Sequence, residues 1–320
     1  MAQILLMTAL SVVVLLLIAT VAFSLYVGWK FLHPPRKPVD MLPEHYGIQE
    51  YESVKFPSRE QEIMLSGWYF EAEANGITPK GATIIFSHGY TQNRQEPHLP
   101  ALALAQELIA DGYNVLMFDF RNAGESGGSR TTIGLLEQRD LLGAIDYVEQ
   151  RDPETEIGCI GFSMGAATSL LVAGKDDRVK AVVADSSFSC LYTYLREKMS
   201  TWTSLPRFPF NSIILTLIPL ISGANPRQVK PIEAVKQITP RPILFIHGTA
   251  DDTIPPYHSK RMYETVLHPH SELWIVEGTG HVRSYAAVPD EYKKRVSRFF
   301  DTHLLGNHNE NRQTKTPFLL

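Results

Sequence analysis

The chain has 320 residues, of which 44% are hydrophobic and 20% are charged, and its formal net charge at pH 7 is −4. Because no block of Lys or Arg residues is present, nothing in the sequence predicts nucleic-acid binding. The two cysteines, Cys159 and Cys190, lie in or beside apolar segments, so we expect buried thiols rather than a disulfide framework.

The first element predicted along the chain is a membrane-spanning helix. No charged residue occurs from position 4 to position 27, a run of 24 mostly aliphatic positions. As a helix this run is about 36 Å long, and the hydrocarbon core of a bilayer is about 30 Å thick. A cleaved signal peptide has a basic start and a small-residue cleavage site, and both are missing from this segment. We therefore predict an uncleaved anchor over residues 1–28, with the lipid bilayer as its partner.

A basic, proline-rich segment follows the anchor. Lys30, Arg36 and Lys37 lie after the span, whereas only the terminal amine precedes it. By the positive-inside rule, the domain that follows is predicted to lie on the cytoplasmic side. Residues 29–45 contain four prolines and are predicted to form a stiff linker that acts as a spacer between the membrane and that domain.

Residues 46–305 are predicted to form one α/β domain. Short apolar runs typical of buried strands alternate with segments of helical periodicity, which indicates parallel β-α-β units with both faces of the sheet covered. Ahead of them, two runs are predicted to pair as antiparallel strands around a polar turn. The predicted pair is 51–56 with 63–70, the later strands are 83–86, 114–118, 157–161, 179–184, 243–247 and 272–276, and the predicted helices include 100–111, 135–149 and 290–303. The polar residues 306–320 show little periodicity and are predicted to be a disordered tail.

The most informative motif is Gly161-Phe162-Ser163-Met164-Gly165, which follows an apolar run and precedes a small-residue helix start. The pattern G-x-S-x-G in this context is typical of a nucleophile elbow, a sharp turn at which only residues without bulk fit beside the serine. Such a turn projects the serine hydroxyl out of the sheet and aims the next N–H, that of Met164, at a substrate oxygen. Because the pattern fixes only three positions, a glycine-rich turn with an incidental serine is the alternative.

Residues 188–240 form a longer connection than a simple crossover between strands needs, and they are rich in aromatic and aliphatic side chains. Long insertions in compact domains tend to be functional lids. We predict a helical cap whose apolar inner face covers Ser163 and lines an acyl or side-chain pocket. Two alternatives stay open, namely an ordinary crossover helix with a surface decoration, and a cap that contacts the bilayer.

Two later strands end in residues suited to activate a serine. One is followed by the carboxylates Asp251 and Asp252, and the other by the glycine-flanked His281. A nucleophilic serine needs a base and an acid that orients the base. The chain order of Ser163, then an aspartate, then His281 is that of α/β-hydrolases and differs from the His, Asp, Ser order of chymotrypsin-like enzymes.

On these motifs the chain resembles the α/β-hydrolase family, close to its serine-aminopeptidase and prolyl-oligopeptidase-like branches, over roughly residues 50–305. The resemblance implies a mostly parallel, twisted sheet flanked by helices. The acid of the family usually falls three residues after the glycine of an H-G-x-x-D turn, which favours Asp251 over Asp252. In the family an H-G turn after the third strand supplies a second oxyanion donor, and the resemblance assigns that donor to the Tyr90 N–H, facing the N–H of Met164.

The resemblance also implies supporting roles for several polar residues. His88 and His247 are expected to be structural partners of their turns rather than bases. One segment resembles the family pattern D-x-R-G-x-G-x-S, in which Asp119 and Arg121 would brace a loop near the site. Asn122 stands where the family usually has glycine, and because asparagine tolerates positive φ better than other non-glycine residues, the turn can survive.

The implied activity is two-step acyl transfer to water, with Ser163 attacking an ester or amide carbonyl, His281 accepting its proton and Asp251 orienting the imidazole. We expect no metal and no cofactor, because the sequence has no His/Cys ligand cluster, no G-x-G-x-x-G motif and no P-loop. The prediction is a serine hydrolase that cleaves a carboxylic ester or amide bond, with a small-molecule acyl ester or a peptide as its substrate. The first alternative is a peptidase of the aminopeptidase or prolyl-oligopeptidase-like type. The second is a non-catalytic, membrane-tethered binding module, because a fold alone does not fix a function.

Overall fold

One eight-stranded sheet forms the centre of the molecule, in the order β1-β2-β4-β3-β5-β6-β7-β8. The strands in chain order are β1 (Glu52–Pro57), β2 (Met64–Phe70), β3 (Ala82–Ser87), β4 (Asn114–Phe118), β5 (Glu156–Phe162), β6 (Val179–Asp185), β7 (Ile243–Gly248) and β8 (Glu272–Val276). Strand β2 is antiparallel to both of its neighbours, β1 and β4, and all other pairs are parallel. The structure, a computed structural model, describes residues 1–61, 63–96, 99–266 and 268–305.

Ten α-helices occur among the described residues, and most of them cover the two faces of the sheet. They are α1 (Ala2–Leu32), α2 (Ala101–Ala110), α3 (Glu137–Arg151), α4 (Met164–Ala173), α5 (Leu191–Thr203), α6 (Ser212–Ser222), α7 (Pro231–Ile238), α8 (Tyr257–Thr265), α9 (Ser284–Ala287) and α10 (Pro289–Leu304). Helices α3, α4, α7 and α8 contribute to the apolar cluster on one face, and α2 and α10 to the cluster on the other. This is the predicted α/β architecture, with each predicted strand found within one or two residues of its expected bounds.

The continuous apolar strands are explained by burial on both faces. In β7, Ile243 and Phe245 join one apolar cluster, whereas Leu244 and Ile246 join the other. Successive side chains of a strand point to opposite faces, so a strand covered on both sides needs apolar residues at every position. Because β3, β5, β6, β7 and β8 run parallel, their carboxyl ends meet at the same edge of the sheet. The loops that carry the predicted site residues begin at this edge.

The predicted insertion 188–240 consists of two structurally different parts. Helix α7 packs against α4, with Val235 and Ile238 fully buried in the core, so it is the ordinary crossover helix that precedes β7. The remainder, from Leu191 to Gln228, contains α5, a π-helical turn (Arg207–Asn211), α6 and a short 3-10 turn. We use the word cap for this part alone. The boundaries of the predicted domains otherwise stay a prediction, and the predicted tail 306–320 lies outside the described residues.

Helix α1 continues to Leu32, four residues beyond the predicted anchor, and its last turns are part of the folded domain. Ser24, Gly28 and Leu32, spaced by four residues, are buried, and α1 packs along α6 of the cap. A Cβ atom at Gly28 would lie 2.3 Å from Cγ1 of Ile218, so this close approach requires glycine. The helix as a whole is long and apolar enough to cross a membrane. A membrane anchor and a signal sequence share this length and composition.

The segment after α1, predicted to be a stiff linker, is docked on the loops that follow β3 and β4. The carbonyl of Leu32 accepts a hydrogen bond from the Thr131 N–H, 2.7 Å away. Lys37 donates from Nζ to the side chain of Gln92 at 2.7 Å, and Asn93 donates from Nδ2 to the Pro38 carbonyl at the same distance. Side-chain amides that bond the backbone of the segment hold it in place, and composition alone does not reveal such partners.

Candidate active site

Ser163 occupies the sharp turn between β5 and α4. Its backbone is strained, with φ of 54° and ψ of −114°, in a region that non-glycine residues rarely adopt. The two flanking glycines are required by close packing. A Cβ atom on Gly161 would lie 2.5 Å from the backbone of Gly165, and one on Gly165 would lie 1.9 Å from the Ser87 carbonyl oxygen. The turn therefore has the strained, close-packed geometry expected of a nucleophile elbow.

Three side chains from different strand ends form one hydrogen-bonded row. His281 Nε2 lies 2.9 Å from Ser163 Oγ, and His281 Nδ1 lies 2.7 Å from Asp251 Oδ2. Because a carboxylate only accepts, Nδ1 carries the proton and Nε2 is free to accept from the serine hydroxyl. The structure thus brings together the three residues selected from the sequence.

The choice of Asp251 over its neighbour Asp252 follows from burial and hydrogen bonding. The Asp251 carboxylate is buried and also accepts from the N–H groups of Thr253 at 3.0 Å and Ile254 at 2.8 Å. Burial by itself opposes ionisation, but the hydrogen bonds from His247 and His281 outweigh it and lower the pKa of Asp251 to about 2. Asp252 is exposed at the rim of the cleft. At neutral pH the row therefore ends in an ionised carboxylate.

His247 is a second imidazole on the same carboxylate. It is fully buried, with Nε2 3.2 Å from Asp251 Oδ2 and 2.7 Å from the Ile254 carbonyl oxygen. Because Nε2 faces acceptors, it carries the proton, and Nδ1, 2.7 Å from Ser259 Oγ, accepts from that hydroxyl. His247 accordingly orients the Asp251 turn, in keeping with the structural role expected for it.

The oxyanion turn after β3 is held by a carboxylate that the sequence did not reveal. Glu96 accepts from the Gly89 N–H with Oε2 at 2.6 Å, one residue before Tyr90, whose N–H is the predicted oxyanion donor. Met164 is the first residue of α4, and its N–H has no acceptor within that helix. Burial raises the pKa of Glu96 to about 7 despite the Gly89 hydrogen bond. No local pattern marks Glu96, because its partner lies seven residues away across an irregular loop.

The neighbouring polar residues brace this loop. His88 Nε2 accepts from the Phe120 N–H at 2.9 Å, and burial lowers the pKa of His88, so the ring stays neutral. Asp119 accepts from the guanidinium of Arg94 at 2.8 Å and Arg121 pairs with Asp140, both as buried ion pairs. The Asp119 carboxylate thus pairs with Arg94 and does not interact with Ser163. This pairing fits the supporting role predicted for Asp119. Asn122 adopts the expected positive φ, 56°.

An open cleft of about 400 Å³ lies above Ser163. It is lined by residues of the loops that follow β3, β5, β7 and β8: Gly89, Tyr90, Gln92, Glu96, Ser163, Ala250, Asp252, Thr253, His281, Val282 and Arg283. None of these lining residues belongs to the cap, so the predicted cap over the serine is wrong in this respect. The apolar inner face of the cap instead packs on the last turns of α1 and encloses a separate cavity of about 50 Å³ there. Among the described residues, no three His, Cys, Asp or Glu side chains are grouped closely enough to hold a metal ion.

Comparison with known proteins agrees with this fold. The family model described as alpha/beta hydrolase fold matches residues 82–202. The uncharacterized protein YqkD of Bacillus subtilis is 31% identical over 260 residues, which cover 80% of this chain and 83% of YqkD. The uncharacterized protein YfhR of Escherichia coli K12 is 29% identical and covers 89% of this chain and 93% of its own length. Among solved structures, an esterase of Pyrococcus furiosus superposes with a TM-score of 0.71 and 29% identity, covering 86% of this chain and 99% of its own.

Proposed function

The chain belongs to the α/β-hydrolase family, and we propose that it is a serine hydrolase that cleaves carboxylic esters through an acyl-enzyme intermediate. The observation that carries the proposal is the continuous row from Ser163 through His281 to Asp251, with heavy-atom distances of 2.9 and 2.7 Å. These distances lie within the reach needed between a nucleophile and its base and between the base and its orienting group. The hydrolase character follows from the family, and the ester substrate is our proposal.

In the first half of the reaction, Ser163 Oγ forms a bond to the ester carbonyl carbon while its proton passes to His281 Nε2. The imidazolium that results is stabilised by the ionised Asp251 carboxylate on the opposite ring nitrogen. The negative charge on the carbonyl oxygen is received by the Tyr90 and Met164 N–H groups, each contributing on the order of 3 kcal/mol to the transition state. The tetrahedral intermediate then collapses, and His281 returns the proton to the departing alcohol.

In the second half, water replaces the alcohol in the cleft above Ser163. His281 takes a proton from that water, the hydroxide bonds to the acyl carbon, and the same two N–H groups receive the oxyanion. Collapse breaks the bond to Ser163 Oγ, which recovers its proton from His281 and releases the carboxylic acid. Every proton in this cycle moves through one imidazole, so no cofactor takes part.

The similarity to the esterase of Pyrococcus furiosus, which superposes on this chain over 99% of its own length, favours an ester over a peptide as the substrate. One observation favours the peptidase alternative. Two carboxylates, Glu96 and Asp252, line the cleft together with Ser163, and a carboxylate is the group that would bind the amino terminus of a peptide. Because Glu96 is buried and titrates near neutrality, it is a weaker anchor for a cation than an ionised surface carboxylate, and we keep the ester as the first substrate class.

The function is tested with the purified full-length chain and its Ser163→Ala variant on p-nitrophenyl esters and on aminoacyl amides. We expect the wild type to hydrolyse the esters faster than the amides, and the variant to lose about 10⁶-fold in kcat. A fluorophosphonate probe should label the wild type and not the variant. An unlabelled wild type without turnover would establish the non-catalytic alternative, while turnover of the amides alone would establish the peptidase.

We propose further that α1 is an uncleaved membrane anchor. Ala2 to Phe23 extend over about 33 Å as a helix, enough to cross a hydrocarbon core of about 30 Å. Cleavage of α1 as a signal sequence would remove the buried residues Ser24 and Gly28, or expose what they cover, and so would disturb the cap. This packing supports retention of the helix in the mature chain. The basic residues that follow it favour a cytoplasmic catalytic domain.

A further inference from the structure

The cap carries exposed aromatic and aliphatic side chains outside the anchor helix. Phe208 is 81% exposed and lies in the π-helical turn before α6, while Leu220 and Ile221, at the far end of α6, are 77% and 70% exposed. Single exposed apolar residues are common on soluble surfaces and need no partner. What distinguishes Phe208 is its position along α1.

Contacts between α1 and the cap fix this position. The ring of Phe210, two residues after Phe208, meets the ring of Phe23 edge-on with centroids 6.1 Å apart. Further along, Gly28 of α1 lies against Ile218. The two helices therefore run side by side in the same direction, and the turn 207–211 lies beside the part of α1 that precedes residue 24.

The level of the membrane surface along α1 is marked by its aromatic and basic residues. Tyr26 and Trp29 are 56% and 52% exposed near the end of a helix that is mostly aliphatic up to residue 22, and Lys30 is the first charged residue. Tyr and Trp are enriched at the boundary between hydrocarbon and headgroups, with Lys and Arg just outside it. Phe23 precedes Trp29 by six residues, or about 9 Å along the helix axis toward the hydrocarbon. The cap turn beside Phe23 accordingly lies below the headgroup level set by Trp29.

We propose that the π-helical turn of the cap, Arg207–Asn211, inserts into the bilayer leaflet next to the catalytic domain, with Phe208 in the acyl region. The inference rests on the proposed anchor function of α1. A depth of about 5–10 Å is usual for interfacial elements and agrees with the offset along α1. Anchor and cap then form one membrane-docking surface instead of a domain on a flexible tether.

Charges around the turn suit a phospholipid surface. Arg207 is the sole charged residue of the turn, and with Arg196 it lines an open groove of about 520 Å³ beside it. The one acid lining that groove, Glu197, accepts a hydrogen bond from the Tyr257 hydroxyl at 2.5 Å. Long arginine side chains at this level can extend to phosphate groups while the neighbouring phenylalanines enter the acyl region.

Docking brings the catalytic cleft close to the leaflet. The Tyr90 hydroxyl donates to the Phe31 carbonyl at 2.7 Å, and Phe31 lies only two residues beyond Trp29. The same tyrosine supplies its N–H to the oxyanion turn, so a single side chain separates that turn from the part of α1 just outside the headgroup level. Amphiphilic esters that partition into the leaflet are therefore the class of substrate that this geometry favours.

The test measures depth in vesicles with spin labels on the full-length chain. The labels are placed at Phe208→Cys, at Leu16→Cys in the middle of α1, and at Lys180→Cys, an exposed position near the amino end of β6. Cys190 is replaced by Ser, and Cys159 is buried, so the background without an added cysteine should take up no label. Collision with oxygen reports hydrocarbon, and collision with a water-soluble nickel chelate reports water.

We expect positions 208 and 16 to be accessible to oxygen and shielded from nickel, and position 180 to show the reverse. Nickel-accessible 208 with shielded 16 would overturn the inference while leaving the anchor intact. Nickel-accessible 16 would remove the anchor and the inference with it, and the Ser163→Ala assay would still decide the enzymatic proposal separately.

Discussion

At the residue scale, the conformation of Ser163 explains why its neighbours are so restricted. A serine at φ of 54° is stable only where surrounding packing enforces it, and here the packing is the contact of Gly161 with Gly165 and of Gly165 with Ser87. The next helix begins directly after the serine, so the Met164 N–H and the helix dipole are directed at the cleft. Because the restricted residues themselves fall within five consecutive positions, the sequence pattern predicts the turn, although the contact of Gly165 with Ser87 comes from a different strand.

Glu96 is a buried residue whose contact with the Gly89 N–H no local sequence pattern indicates. Its carboxylate is 3% exposed and its pKa is raised by burial to about 7 from an ordinary value of 4.5. Between these two pH values the native state binds more protons at Glu96 than the unfolded state does, so the free energy of unfolding falls as the pH rises through this window. At 1.36 kcal/mol per pH unit this decline amounts to about 3 kcal/mol.

We predict that Glu96→Gln removes this decline, because the amide does not titrate and its oxygen still accepts from the Gly89 N–H. Denaturant unfolding from pH 4.5 to 8 should give a shallower pH dependence for the variant than for the wild type. Asp185, with a pKa raised by burial to about 6, contributes a slope of the same sign, so the variant retains some dependence. Glu73→Gln at an exposed position serves as the control, and a Glu96→Gln curve parallel to the wild type would refute the assignment.

At the element scale, the contact between α1 and α6 determines how the cap is placed. The apolar inner face of the cap was predicted to cover Ser163, and it covers the last turns of α1 instead. The apolar sequence of α6 requires an apolar partner, but many apolar surfaces could satisfy that requirement. Which surface does so depends on a partner about 190 residues earlier in the chain, and no periodicity encodes that pairing.

We predict that Gly28→Leu destabilises the packing of the cap on α1. A Cβ at this position would be 2.3 Å from Ile218, so the larger side chain must displace α6 at a cost of about 1–3 kcal/mol. The expected result is a lower unfolding midpoint and faster proteolysis within residues 204–212. Ala22→Leu, on an exposed position of the same helix, should leave both unchanged, and equal behaviour of the two variants would show that α1 does not support the cap.

At the scale of the whole molecule, the docked segment 33–42 and the cap connect α1, the proposed membrane anchor, to the proposed oxyanion turn. The Lys37 and Asn93 hydrogen bonds and the bond from Tyr90 to Phe31 cross this junction. A catalytic domain linked in this way has a fixed orientation relative to α1. With α1 as a membrane anchor, the orientation of α1 therefore determines on which side of the membrane the catalytic domain lies.

We predict that the catalytic domain faces the cytoplasm, because the basic residues of the chain near α1 lie only on its carboxyl-terminal side. A membrane-impermeant maleimide should label Lys180→Cys only after the cells are opened, and should label Ala2→Cys in intact cells. Both variants carry the Cys190→Ser background. Labelling of position 180 in intact cells would reverse the orientation, without affecting the catalytic proposal.

The sequence by itself determined the features that short segments encode. Apolar runs at regular spacing marked the strands, and the five-residue elbow marked Ser163. The strand ends marked His281 and the pair Asp251 and Asp252, because the carboxyl ends of parallel strands must share one edge, and the family resemblance favoured Asp251. The uncharged run marked a helix able to cross a bilayer.

Only the tertiary structure decided the contacts that no local residue pattern encodes, whether their partners are near or far apart in the chain. These are the carboxylate of Glu96 on the oxyanion turn, the second imidazole at Asp251, the docking of the prolines after α1, and the burial of the inner face of the cap against α1 instead of over Ser163. Each depends on shape and hydrogen-bond complementarity across a packed interface, which local residue preferences do not specify.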